Sequence, residues 1–304
     1  MTFRKFIDIF VLFIAIISFI GFFIVFIKIF SGDLEKDIAQ RYNFTVSNIS
    51  TSIEKFSVNA ESAYFVELNS SLDQELYKKS QDKILPIASI TKLVSAMIVI
   101  DNLDLSSKIK ITQDIADWQE IRTINSEEEF FANDLLKLAL IESNNSAIIA
   151  LSQATKSQDS FVDLMNKKSQ EIKLLNTKFF NETGLDIKGK ESNYSTAQDL
   201  VILSKYILNK YPEIFQITTN KDFLLCNAQK ENCRTVKNTN ELLRSQDFKA
   251  QIIGSKTGET KLAGGCLLLL IKSKDNIDYI SIILNSKNRF KDTEKIINKY
   301  LNVQ

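Results

Sequence analysis

The sequence predicts an α/β (α+β) chain: an antiparallel sheet flanked by helices, a helical lobe inserted into it, and an N-terminal transmembrane helix. Strand-like runs sit at 63–77 and again beyond Lys221, and the stretch between them carries helical periodicity. One apolar run near the amino terminus has the length of a membrane span. Strands, a helical insertion, more strands and a closing helix together describe a sheet joined to a helical lobe. The expected division is 1–30 for a cytoplasmic N-terminus and signal-anchor, 31–61 for a stalk or linker, and 62–304 for one folded domain.

Arg4 and Lys5 precede the apolar stretch 9–27. At about 1.5 Å rise per residue, that stretch nearly matches a hydrocarbon core of roughly 30 Å. It ends Val25-Phe26-Ile27-Lys28, without the small residues of a cleavage site, so an uncleaved anchor is expected. Lys28, Lys36 and Arg41 compete with Arg4 and Lys5, and flanking charge leaves the orientation open. Residues 63–68 read as a strand, 69–73 as a turn and 75–77 as a returning arm. Ile90, Leu93, Val94, Met97 and Ile98 share one helix face, and 130–153 and 161–175 repeat that spacing. Strand-like runs follow at 222–226, 234–237, 250–258, 264–272 and 279–285. Phe290, Ile296, Ile297, Tyr300 and Leu301 define a last amphipathic helix, expected to pack on the sheet rather than on a membrane.

Composition narrows the chemistry. With 38 Lys plus Arg against 37 Asp plus Glu, no global field favours nucleic acid. The chain has no histidine, which excludes a Ser-His-Asp triad and a histidine metal site. Its three cysteines form no metal-ligand cluster, and no metal or organic cofactor is expected. Cys226 and Cys233 flank a short polar turn, and are either a hairpin disulfide or two unpaired thiols. Cys266, inside Cys-Leu-Leu-Leu-Leu-Ile, reads as a small buried hydrophobe.

S-x-x-K occurs four times, starting at Ser52, Ser80, Ser89 and Ser107, so context has to choose. Only Ser89-Ile90-Thr91-Lys92 follows a helix-initiating proline, Pro86, and opens an apolar helix that puts both side chains on one face. Either the pair caps and snorkels, or Lys92, kept neutral by burial, takes the Ser89 proton as general base. The Ser89 amide near the helix start is then an oxyanion donor. Ser143-Asn144-Asn145 is a polar knot in the apolar run 135–151, which alone reads as a helix-to-helix corner satisfied locally. Lys256-Thr257-Gly258 is the only K-T-G, and four of the eight glycines fall between Gly254 and Gly265. That run is a glycine-rich turn with a solvated lysine, or a strand edge offering the Lys256 cation and Thr257 hydroxyl to a carboxylate. In the second reading the Glu259 amide is the other oxyanion donor.

In this order, Ser89-x-x-Lys92, Ser143-x-Asn145 and Lys256-Thr257-Gly258 resemble the motif set of penicillin-binding proteins and serine β-lactamases. The segments at 86–93, 161–168, 181–185, 194–197 and 237–240 are similar to those of D-alanyl-D-alanine carboxypeptidases. The resemblance implies that 62–304 is a penicillin-binding catalytic domain of the β-lactamase/transpeptidase-like fold. It implies a serine peptidase acting on peptidoglycan stem peptides that end in D-Ala-D-Ala, inhibited by β-lactams. In the implied roles Ser89 is the nucleophile and Lys92 the base, Ser143 relays a proton and Asn145 holds Lys92 and the substrate amide. Lys256, Thr257, Gly258 and Glu259 form the substrate-binding strand. The domain is then expected outside the cell membrane on a single-pass anchor, which replaces the C-terminal anchor of many relatives. Asn144 stands where the carboxypeptidases commonly have glycine, and Glu259 places a negative charge beside the expected carboxylate site. Two alternatives remain: a non-catalytic or slowly deacylating penicillin-binding sensor, and a β-lactamase with Glu171 or Glu182 as deacylating base.

Overall fold

The computed structural model describes residues 56–69, 72–118, 123–155, 157–189 and 191–301, together with Phe22. Apart from Phe22, the expected anchor, 1–30, lies outside these residues, as does nearly all of the expected stalk, 31–61. Among the described residues, no helix is long and apolar enough to cross a membrane. A compact unit begins at Val58. Val58 and Ala60 are already buried, and the Glu61 amide donates to the carbonyls of Leu284 and Asn285 at 3.1 Å.

Along the chain come β1 (Ser62–Glu67), β2 (Gln74–Lys79), the short β3 (Leu85–Pro86), a 3₁₀ turn at Ala88–Thr91 and α1 (Lys92–Asn102). Next are β4 (Lys108–Lys110), α2 (Gln113–Ala116), β5 (Glu129–Phe131), α3 (Ala132–Ile141), α4 (Asn145–Ala154) and α5 (Phe161–Ile172). Then follow β6 (Tyr194–Ser195), α6 (Ala197–Lys210), α7 (Pro212–Thr218), β7 (Asp222–Cys226) and β8 (Cys233–Lys237). The chain closes with β9 (Gln251–Thr260), β10 (Gly264–Lys272), β11 (Asp278–Ser286) and α8 (Arg289–Leu301).

The main sheet has the order β2-β1-β11-β10-β9, with every pairing antiparallel. Its first and last strands in sequence meet because β1 pairs with β11, Ser62 opposite Leu284. Helices α6 and α8 pack on the sheet, as does the 3₁₀ turn. β10 is buried from Gly265 to Ile271, so both its faces are covered. That explains why its sequence reads as a continuous apolar run rather than an alternation. α8 docks through Ile296 and Ile297, both fully buried, which is the packing expected of the closing helix.

The helical lobe is built on α1, whose residues Leu93 to Val99 are all buried, packed against α3, α4 and α5. The expected single helical stretch 130–153 is divided. Phe130 belongs to β5, paired with Ile109 of β4, and α3 ends at Ile141. The break falls at Ser143, which has φ +64°. Asn144 then caps α4, its side chain accepting from the Ala147 amide at 2.9 Å. Helices α6 and α7 carried no sequence expectation, although Thr196 accepts from the Asp199 amide as N-cap of one and Pro212 opens the other. Cys226 and Cys233 are disulfide-bonded across the β7–β8 hairpin, and Cys266 is a buried free thiol.

Candidate active site

Ser89 lies in the 3₁₀ turn, entered through Ala88 at φ +47° and closed by the Ile90 amide donating to the Ile87 carbonyl. Strand β9 runs hard against this turn. A Cβ on Gly258 would stand 3.0 Å from both the Ser89 nitrogen and the Ile87 oxygen, so glycine is required for that approach. A second close approach comes from Gly184, at φ +84°, where a Cβ would fall 2.0 Å from the Ala88 carbonyl oxygen. The nucleophile candidate is thus held between a strand and a turn that each need a missing side chain.

Lys92, fully buried at the start of α1, donates from Nζ to Ser89 Oγ at 2.8 Å and to Asn145 Oδ1 at 2.8 Å. A further bond reaches the Thr183 carbonyl at 2.9 Å. That carbonyl is aimed by a network the motifs do not contain. Asn181 Oδ1 accepts from the Thr183 and Gly184 amides at 3.0 and 2.7 Å, and Asn193 Nδ2 donates to the Asn181 carbonyl and to Thr91 Oγ1. The 181–185 segment therefore serves as a clamp on the lysine amine.

Lys256 on β9, 1 % exposed, donates to Ser143 Oγ at 2.8 Å and to the Thr257 carbonyl at 2.9 Å. Burial pushes its ammonium well below the usual lysine range, and the nearby charges of Lys92 and Arg289 push the same way. Thr257 Oγ1 meets Thr239 Oγ1 at 2.5 Å, and the Thr239 amide donates to the Ile141 carbonyl, tying the segment after β8 to the end of α3. Ser89, Ser143, Asn145, Thr257, Gly258 and Glu259 all border one cleft of about 200 Å³. The eight residues singled out from sequence therefore converge on one place, with Lys92 and Lys256 bonded beneath its floor.

Four cleft residues were not among the candidates: Glu142, Leu185, Thr239 and Arg289. Glu142 carries no signal beyond adjacency to a motif, whereas Leu185 and Thr239 lie in the segments 181–185 and 237–240 that carry the family resemblance. Arg289, at the start of α8, lies 30 positions beyond Glu259 and only the fold joins them: its Nη1 reaches Glu259 Oε2 and the Gly258 carbonyl. Glu259 borders the cleft beside Thr257 and Gly258, and its negative charge is paired there with the Arg289 cation. Glu171 and Glu182 do not border the cleft. Glu171 pairs with Lys168 and accepts from Tyr206, and Glu182 accepts from Ser152.

Solved structures of this architecture are penicillin-binding proteins. The ampicillin-bound penicillin-binding protein D2 of Listeria monocytogenes aligns with a TM-score of 0.68 at 28% identity, over 80% of this chain and 97% of that one. A D-alanyl-D-alanine carboxypeptidase of Mycobacterium tuberculosis shares the fold, with a TM-score of 0.71 at 22% identity over 84% of this chain and 96% of that one. The D-alanyl-D-alanine carboxypeptidase family model matches residues 48–288. Among curated relatives, the D-alanyl-D-alanine endopeptidase of Escherichia coli is 32% identical over 72% of this chain and 69% of its own length. D-alanyl-D-alanine carboxypeptidase DacF of Bacillus subtilis is 32% identical over 75% of this chain, which spans 57% of that relative. The chain belongs to the D-alanyl-D-alanine carboxypeptidase family of serine peptidases.

Proposed function

We propose that the chain removes the terminal D-alanine from peptidoglycan stem peptides through an acyl-enzyme on Ser89, outside the membrane that holds its N-terminal helix. The observation that carries this reading is the Lys92 amine, 2.8 Å from both Ser89 Oγ and Asn145 Oδ1, beneath a cleft that Ser89, Asn145 and residues 257–259 of β9 border. Neutral Lys92 takes the hydroxyl proton as Ser89 Oγ attacks the carbonyl carbon between the two D-alanines. The C–N bond breaks, the proton passes through Ser143 to the leaving amine, and water then hydrolyses the ester with Lys92 again as base. The amides of Ser89 and Glu259 receive the oxyanion. β9 is the sheet's edge strand, so an extended peptide can lie along it, with its terminal carboxylate at Lys256 and the Thr257 and Thr239 hydroxyls.

A carboxylate arriving at Lys256 favours its ammonium form, the opposite of what burial does in the empty cleft. No cofactor is needed, because the amine replaces histidine as base. Similarity to the Escherichia coli endopeptidase supports a second substrate, the D-alanyl cross-link between stems, cleaved by the same chemistry. The disulfide between Cys226 and Cys233 supports an oxidising compartment, and the apolar run 9–27 supports the anchor.

The test follows D-alanine release from a peptide ending in D-Ala-D-Ala, with Ser89→Ala as control. Release by the wild type, falling by at least about 10³-fold in the variant, is the expected result. Stoichiometric labelling of Ser89 by a fluorescent penicillin without D-alanine release would replace this reading with a penicillin-binding sensor.

A further inference from the structure

One carboxylate that borders the cleft has no cation partner among the described residues. The ionisable side chains of the lining are those of Glu142, Glu259 and Arg289. Glu259 and Arg289 form an ion pair with each other. Glu142 has no cation at ion-pair distance among the described residues. Its Oε2 is held twice, by Thr123 Oγ1 at 2.6 Å and by Asn144 Nδ2 at 3.0 Å. Both donors are neutral and both residues are buried, Thr123 at 7% and Asn144 at 6% exposure. Asn144 is itself locked as the N-cap of α4. Oε1 accepts no hydrogen bond among the described residues.

Two neutral donors fix the direction of a carboxylate without cancelling its charge. A partly buried, uncompensated carboxylate is costly, and the cost is recovered when a cation arrives. Were the group needed only to brace the turn of Ser143, a neutral amide would make the same two bonds through one oxygen. From a carboxylate that borders the substrate cleft and whose Oε1 accepts no hydrogen bond among the described residues, we infer that Glu142 is a specificity-determining residue that receives a primary ammonium on the substrate peptide. The ammonium that it receives belongs to the side chain of the residue next to D-Ala-D-Ala. This rests on the carboxypeptidase reading above.

The experiment compares two substrates on the full chain: Nα-acetyl-L-Lys-D-Ala-D-Ala, with a free ε-amine, and its ε-acetylated, neutral form. The wild type is expected to prefer the free amine in kcat/KM by about fivefold, the scale of one partly screened ion pair. Glu142→Gln keeps an oxygen for Thr123 and Asn144 but presents an NH₂ in place of Oε1, and the preference is expected to fall to about one. Equal rates on the two peptides in the wild type would overturn the inference and leave the carboxypeptidase reading standing. An equal loss on both peptides in Glu142→Gln, with the preference kept, would also overturn it, because a brace acts on every substrate alike. Release from neither peptide by the wild type would overturn the carboxypeptidase reading, and the inference with it.

Discussion

Lys256 shows how far one side chain's chemistry depends on what surrounds it. The residue was legible as a cation on a strand edge, yet its lowered pKa comes from burial and from Lys92 and Arg289, which lie far away in sequence. Between that lowered pKa and the usual lysine value, the unfolded chain binds a proton that the folded chain lacks. Stability therefore rises with pH across this window, and below it the full penalty of a buried ammonium remains. Replacing Lys256 by Met should remove this rise. Urea midpoints measured against pH for both proteins check it, and parallel curves would refute the assignment. Ser143 is the complementary case. Its φ of +64° is a conformation most side chains avoid, and its hydroxyl is met by Lys256 Nζ at 2.8 Å. The polar knot in an apolar run signalled a corner, but not that the corner would aim a hydroxyl at β9.

At the scale of elements, the β7–β8 hairpin links a covalent restraint to the cleft. The disulfide ties the two strands together beside their connecting turn, and β8 runs from there to Asn238, whose side chain donates to the carbonyls of Thr218 and Asn220. Thr239 follows, bonded to Thr257. The double variant Cys226→Ala/Cys233→Ala should lose about 2 kcal/mol, the loop-closure entropy of a short ring. An unchanged denaturant midpoint would mean that the bridge leaves folding untouched. The sheet strands were readable because apolar alternation and β-branched runs survive in the chain, and β10 was found with its observed bounds. Short pairings such as β3 with β6 were not, because two residues carry no period. Helices α6 and α7 were passed over although their capping residues, Thr196 and Pro212, stand in the sequence as usable signals.

For the whole molecule, antiparallel pairing of β1 with β11 closes the fold around the helical insertion and brings residues near 60 beside those near 285. The proposed anchor, 1–30, precedes this seam in the chain. The full chain is expected to sediment with membranes and to need detergent for extraction, whereas a chain beginning at residue 31 should stay soluble. A full chain that washes off in high salt would show a peripheral attachment instead.

By itself the sequence determined the sheet-and-lobe class and, by context, the choice of Ser89-x-x-Lys92 among four S-x-x-K matches, because helix register and apolar runs are local properties. Ser143, Asn145, Lys256, Thr257, Gly258 and Glu259 joined the set through the resemblance of the ordered motifs to a known family, since the polar knot alone reads as a corner and the glycine-rich run alone leaves two readings open. Tertiary structure alone decided that Thr183 offers its carbonyl to Lys92, that Arg289 answers the charge of Glu259, and that Glu142 borders the cleft with one oxygen that accepts no hydrogen bond among the described residues. Those contacts join residues separated by 91, 30 and 19 positions, and no periodicity in the chain encodes which distant partner a backbone carbonyl or a lone charge will meet.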